Sequence, residues 1–124
     1  MNTDIPPDLR PRQEKERSAP GADEMEAAWI LLERRYREAG EGTRESHVYA
    51  GALCAARWTQ GHTDEAPMTG KASTYGGSTF LDEIAVADPV VWGQRSDLNR
   101  DYARGVSAWL WWIAGTQTRP GWLR

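Results

Sequence analysis

The chain has 124 residues, 40% of them hydrophobic and 27% charged, which is enough for one soluble domain with its own core. A net charge of -3 sets up no basic field for DNA, RNA or anionic lipid, and the longest strongly apolar run, Ala108 to Ala114, is far short of the roughly 20 residues of a membrane helix. The one cysteine, Cys54, excludes an internal disulfide and a cysteine-clustered zinc site, and it suits a reducing cytoplasm, the expected location.

Residues 1 to 20 carry Pro6, Pro7, Pro11 and Pro20, many charges and few apolar anchors. Such a stretch cannot repay the entropy of ordering, so a disordered N-terminal arm is expected there, with 21 to 124 as a single helical domain. The first residues do not read as a signal peptide, because no basic stretch leads into an apolar run.

The first helix is predicted from about Asp23 to Ala39, with Asp23 and Glu26 as a capping-box start and Gly40 as a stop. Met25, Ala28, Trp29, Leu32, Tyr36 and Ala39 share its core stripe. Glu33 with Arg37 and Arg34 with Glu38 stand i,i+4 on a solvated face. The second helix is predicted from about Arg44 to Gln60, closed by Gly61. Ala50, Gly51, Ala52, Ala55 and Ala56 make it apolar nearly all round, as a central helix would be, and let neighbours approach closely.

Gly61 to Ser78 reads as a polar loop, long enough to be either functional or mobile. His62, Asp64 and Glu65 sit together in it, but no second ligand group is visible, so neither a metal nor a cofactor is expected. A short helix should follow from Thr79 to Ala87, burying Phe80, Ile84 and Ala87. Asp88-Pro89 then caps or restarts the chain. The last helix is predicted from about Asp97, capped by Ser96, to Ala114, closed by Gly115. Its core stripe is Leu98, Tyr102, Gly105, Val106, Trp109, Trp112 and Ile113. Pro120 to Arg124 is a tail, anchored if Trp122 docks. The expected fold is therefore all-α, with three main helices and one short one.

Tyr49 to Pro67 aligns without gaps to Tyr102 to Pro120 with six identities, among them Tyr49/Tyr102 and Trp58/Trp111. Shared helix composition explains so few identities more simply than duplication of a unit.

Trp111 is the informative residue for function. It falls opposite the core stripe of its helix, beside Arg100, Arg104 and Ser107. An indole on the polar side must meet a second packing layer, a partner or water. Tryptophan is enriched at interface anchors, and a guanidinium can stack on it. The favoured function is accordingly a small non-enzymatic interaction protein. It would dock a protein partner, or a second copy of itself, through Trp111, Arg104 and Arg100. Its size and acidity also suit an inhibitor or immunity protein. Thirteen arginines against Lys15 and Lys71 read as GC-rich coding, hence a bacterium, phage or plasmid.

The alternative is a small-ligand binder or enzyme with a pocket between the second and fourth helices, lined by His47, Cys54, Trp58 and Tyr102. Within it, His47 and Cys54 are seven residues apart on one helix, roughly 10 Å along the axis, too far for the imidazole to activate the thiol. Nucleic-acid binding would need a continuous arginine face, which is not found.

Overall fold

Four helices form near the positions that periodicity and capping residues indicate, in a computed structural model that describes residues 19–123. They are α1 (Ala22–Glu38), α2 (Arg44–Thr59), α3 (Gly77–Val91) and α4 (Arg100–Ile113), followed by a single 3-10 turn, Gly121–Leu123. Among the described residues there is no strand, only an isolated antiparallel bridge between Glu65 and Ala72. None of these helices is long and apolar enough to cross a membrane. The arm expected at 1 to 20 lies outside the described residues but for Ala19 and Pro20.

The starts of α1 and α4 differ from the expectation. α1 begins one residue early, behind Gly21, and no capping box forms. Asp23 and Glu24 instead lie in the first turn, where the amide end of the helix favours negative charge. α2 starts at Arg44 as expected and is capped by Thr43, whose Oγ1 accepts the Ser46 amide at 3.2 Å. α4 starts behind Asn99, whose Oδ1 accepts the Tyr102 amide at 2.9 Å, and not behind Ser96. Leu98 therefore falls outside the helix and is exposed.

Two further corrections concern α1 and α3. Tyr36 is exposed, because the core meets the α1 stripe from Met25 to Leu32 and ends short of it. Glu33 reaches across to Arg57 of α2 at 3.6 Å, so that part of α1 is not a purely local ion-pair face. α3 is not short. It runs through Pro89 without restarting. The proline costs the amide that would bond the Ala85 carbonyl, but Ala85 faces solvent and the helix ends two residues later.

α2 and α4 form the central pair, α1 packs on α2, and α3 packs on α4. The core between them contains Leu32, Trp58, Trp109 and Leu110, with Leu123 of the tail fully buried among them. The tail is thus anchored: the Arg35 guanidinium donates to the Trp122 carbonyl, and Arg119 lies over the Trp112 ring at 5.5 Å.

The α2–α4 crossing is reciprocal. A Cβ on Gly51 would lie 2.0 Å from the Tyr102 carbonyl oxygen, and a Cβ on Gly105 would lie 2.0 Å from the Val48 carbonyl oxygen. Each glycine meets the carbonyl three residues before the other. Only hydrogen fits in either place, and it makes the Cα–H to oxygen contact typical of close helix pairs. The pseudo-symmetry at this point pairs Gly51 with Gly105, one residue out of step with the Tyr49/Tyr102 alignment.

The 61–76 loop is ordered by one side chain from each of three helices. Trp58 of α2 donates its indole N–H to the Ser73 carbonyl at 2.9 Å, and Tyr102 of α4 donates its hydroxyl to the Pro67 carbonyl at 2.8 Å. Glu83 of α3, itself buried, accepts the Met68 amide, the Thr69 amide and the Thr69 hydroxyl at 2.6, 3.0 and 2.8 Å. Through these bonds the buried Trp58 indole N–H and Glu83 carboxylate are paired.

Candidate interaction site

Trp111 meets its second packing layer in α3. Its ring stands edge-on to Phe80, with centroids 5.5 Å apart and planes at 86°. The indole N–H points at the Asp88 carboxylate, 3.3 and 3.4 Å from its two oxygens, and Ser107 donates to the same group at 2.9 Å. The polar side of α4 is therefore partly covered, and Trp111 is half-buried.

Beyond the covered part lies a hollow of about 280 Å³ between the end of α3 and the outer side of α4, lined among others by Trp92, Arg104, Trp111 and Trp122. Trp92 stands at its rim and is 74% exposed. Its backbone is fixed as the C-cap of α3, with its amide bonded to the Asp88 carbonyl, and Gly93 turns the chain away at φ 78°. Arg104 pairs with Asp101 at 3.6 Å and keeps about half its side chain in solvent. Arg100 does not face the hollow in the same way. Its Nε donates to the Val91 carbonyl at 3.0 Å, so its charge sits at the negative end of α3 and ties α4 to it.

Of the residues expected around Trp111, Arg104 shares its hollow and Arg100 acts from the adjoining helix end. Trp92, Trp122 and Asp88 escape a reading of the sequence alone. The available signal was weak: Trp92 is an aromatic beside a glycine at a helix end, and Trp122 lies in a tail.

The residues of the alternative pocket are divided among three places. Cys54 and Tyr102 share a hollow of about 200 Å³ with Arg57, Glu65 and Pro67. Trp58 is in the core, 1% exposed. His47 lines a different hollow with Tyr36 and Ser46, and its Nδ1 is 3.1 Å from the Asn99 amide nitrogen. The other histidine, His62, lies against Trp29, with ring centroids 4.5 Å apart and planes tilted by 43°. Neither imidazole lines the hollow that holds Cys54. Burial pushes the Tyr102 phenol far above the ordinary tyrosine value, and the adjacent Cys54 thiol adds to that. Among the described residues no three His, Cys, Asp or Glu side chains converge, so His62, Asp64 and Glu65 do not gather.

No protein family, curated protein or solved structure matches this chain. Function has to be argued from the site itself.

Proposed function

We propose that this protein is a non-catalytic interaction module that docks a protein partner through the hollow between α3 and α4. The supporting observation is Trp92, three-quarters exposed on a fixed backbone beside Trp111, Trp122 and Arg104. Tryptophan and arginine dominate the residues whose truncation weakens protein interfaces. A large indole left mostly in water is surface that a partner would desolvate. The hollow, about 280 Å³, has room for one anchoring side chain. A role as inhibitor or immunity protein in a bacterium or its mobile elements remains compatible with such a module.

The ligand-pocket alternative has less support. Its one assembled pair, Cys54 and Tyr102, shares about 200 Å³ with no imidazole to activate the thiol.

The test is affinity capture from the native host with wild type, Trp92→Ala and Arg104→Ala as baits, followed by titration of what is captured. Loss of a central tryptophan anchor should weaken binding roughly thirtyfold. Arg104→Ala should weaken it severalfold, because a partly exposed cation–π contact is worth about 0.5–1 kcal/mol. Identical capture and affinity for all three baits would refute the proposal.

A further inference from the structure

We infer that His47 and Asn99 form a proton-sensitive latch that holds α2 to the start of α4. The latch is independent of the docking hollow. Asn99 is the N-cap of α4, and its Oδ1 accepts the Tyr102 amide at 2.9 Å. A primary amide has one acceptor atom, and the cap uses it. The Asn99 Nδ2 is therefore what faces the Nδ1 of His47, 3.1 Å away. Nδ2 can only donate, so Nδ1 has to accept, and an imidazole nitrogen accepts only without a proton. The cap of one helix thus dictates the tautomer of a side chain on another. With the latch closed, His47 is neutral and carries its proton on Nε2.

A second proton on the ring goes to Nδ1 and sets donor against donor. Turning the Asn99 amide over gives no escape, because its NH2 would then face the Tyr102 N–H. Either the imidazolium swings into solvent or Asn99 gives up the cap, and in both cases the bond between the two helices is lost. Protons can reach it, since Asn99 is exposed and His47 only half-buried.

The charges nearby are engaged elsewhere or stand off the ring. Arg37 of α1 and Glu41 of the turn after it line the His47 hollow, with the Tyr36 phenol. Arg44, one turn before His47, pairs with Asp101 of α4 at 3.4 Å, and Arg104 pairs with the same carboxylate. Arg95 and Asp97, ahead of the cap, pair with each other. None of the ion pairs among the described residues includes His47. No carboxylate therefore offsets the lost bond when the ring takes up a proton. The unfolded chain, with no Asn99 against its imidazole, binds that proton more readily. It takes up more protons as pH falls through about 6.5, so stability falls with it.

Two measurements on the full chain test this. Proton–nitrogen correlation NMR of wild type at about pH 8 should find the His47 proton on Nε2 and a bare Nδ1. A proton on Nδ1 there overturns the latch, and no variant is needed to see it. Thermal midpoints are then compared with those of His47→Gln, which cannot titrate and keeps His62. From about pH 8 to about pH 5, wild type should lose a few degrees relative to that variant, the effect of one neutral hydrogen bond. Asn99→Asp should reverse the sign. One carboxylate oxygen still caps the Tyr102 amide, and the other accepts from the imidazolium Nδ1–H. On acidification this chain should gain relative to its own His47→Gln form. A wild type that runs parallel to His47→Gln overturns the latch, as does an Asn99→Asp chain that fails to gain.

Discussion

Gly105→Ala is the most direct perturbation of the fold. The new methyl would sit 2.0 Å from the Val48 oxygen, 2.8 Å from the Ala52 nitrogen and 2.9 Å from the Val48 carbonyl carbon. All three are backbone atoms of a helix, so no side-chain rotation relieves the contact. Reaching an ordinary separation of 3.4 Å requires α2 and α4 to part by 3.4 minus 2.0, or 1.4 Å, at the oxygen. A gap of ~1 Å forfeits up to about half of the dispersion energy of the surfaces it opens. Those surfaces include Ala52, Ala55, Val106 and Trp109, all fully buried. Overpacking of this kind costs about 1–3 kcal/mol, and rigid backbone on both sides places it at the upper end or beyond. Alanine's better helix propensity returns only about 1 kcal/mol.

The net expectation is a loss of about 2 kcal/mol or more in urea denaturation followed by tryptophan fluorescence, and a fall of roughly 8–9 °C in the thermal midpoint. Gly51→Ala should behave alike. The same parting of the helices relieves both clashes, so the double variant should cost much less than the sum of the singles. Gly77→Ala, at a position with nothing within 4 Å, is the control and should be neutral or slightly stabilising. If Gly105→Ala is as stable as wild type, or gains the propensity increment, the close crossing described here is wrong.

Other outcomes follow from burial and hydrogen bonding. The tryptophans should rank by their cover: Trp109→Ala, fully buried with its N–H on Thr59, should cost about 3–5 kcal/mol in chemical denaturation. Trp111→Ala should cost less, and the exposed Trp92→Ala within about 0.5 kcal/mol of nothing; equal losses at 109 and 92 would contradict the assigned exposure. Glu83→Ala should cost about 1–3 kcal/mol by orphaning the Met68 and Thr69 amides. It should also speed hydrogen exchange at the Ala66, Gly70 and Ser73 amides of the same loop, and unchanged protection there would show that the carboxylate does not hold it. At alkaline pH the folded chain keeps the Tyr102 proton while the unfolded chain loses it above about 10. The unfolded state then binds fewer protons, so stability falls as pH rises past that value. Tyr102→Phe should flatten the fall, and a phenol absorbance change from Tyr102 in the intact fold near its ordinary value would refute it.

What can be read along the chain is what a few neighbouring residues decide. Gly61 ends α2 because a left-handed stop acts within one turn. Val106, Trp109 and Trp112 are legible as core because a 3.6-residue period puts them on one stripe. The small residues of α2 announce a close neighbour without saying which. Tertiary packing supplies that identity. It pairs Gly51 with Gly105, 54 positions along, and it leaves Ala85, whose carbonyl Pro89 cannot serve, on the exposed side of α3. It also covers half of Trp111 with Phe80 and Asp88 while leaving Trp92 bare. Periodicity tells which side of a helix a residue occupies, but exposure depends on what the rest of the chain brings to that side, and those contacts join residues far apart in sequence whose meeting no local pattern records.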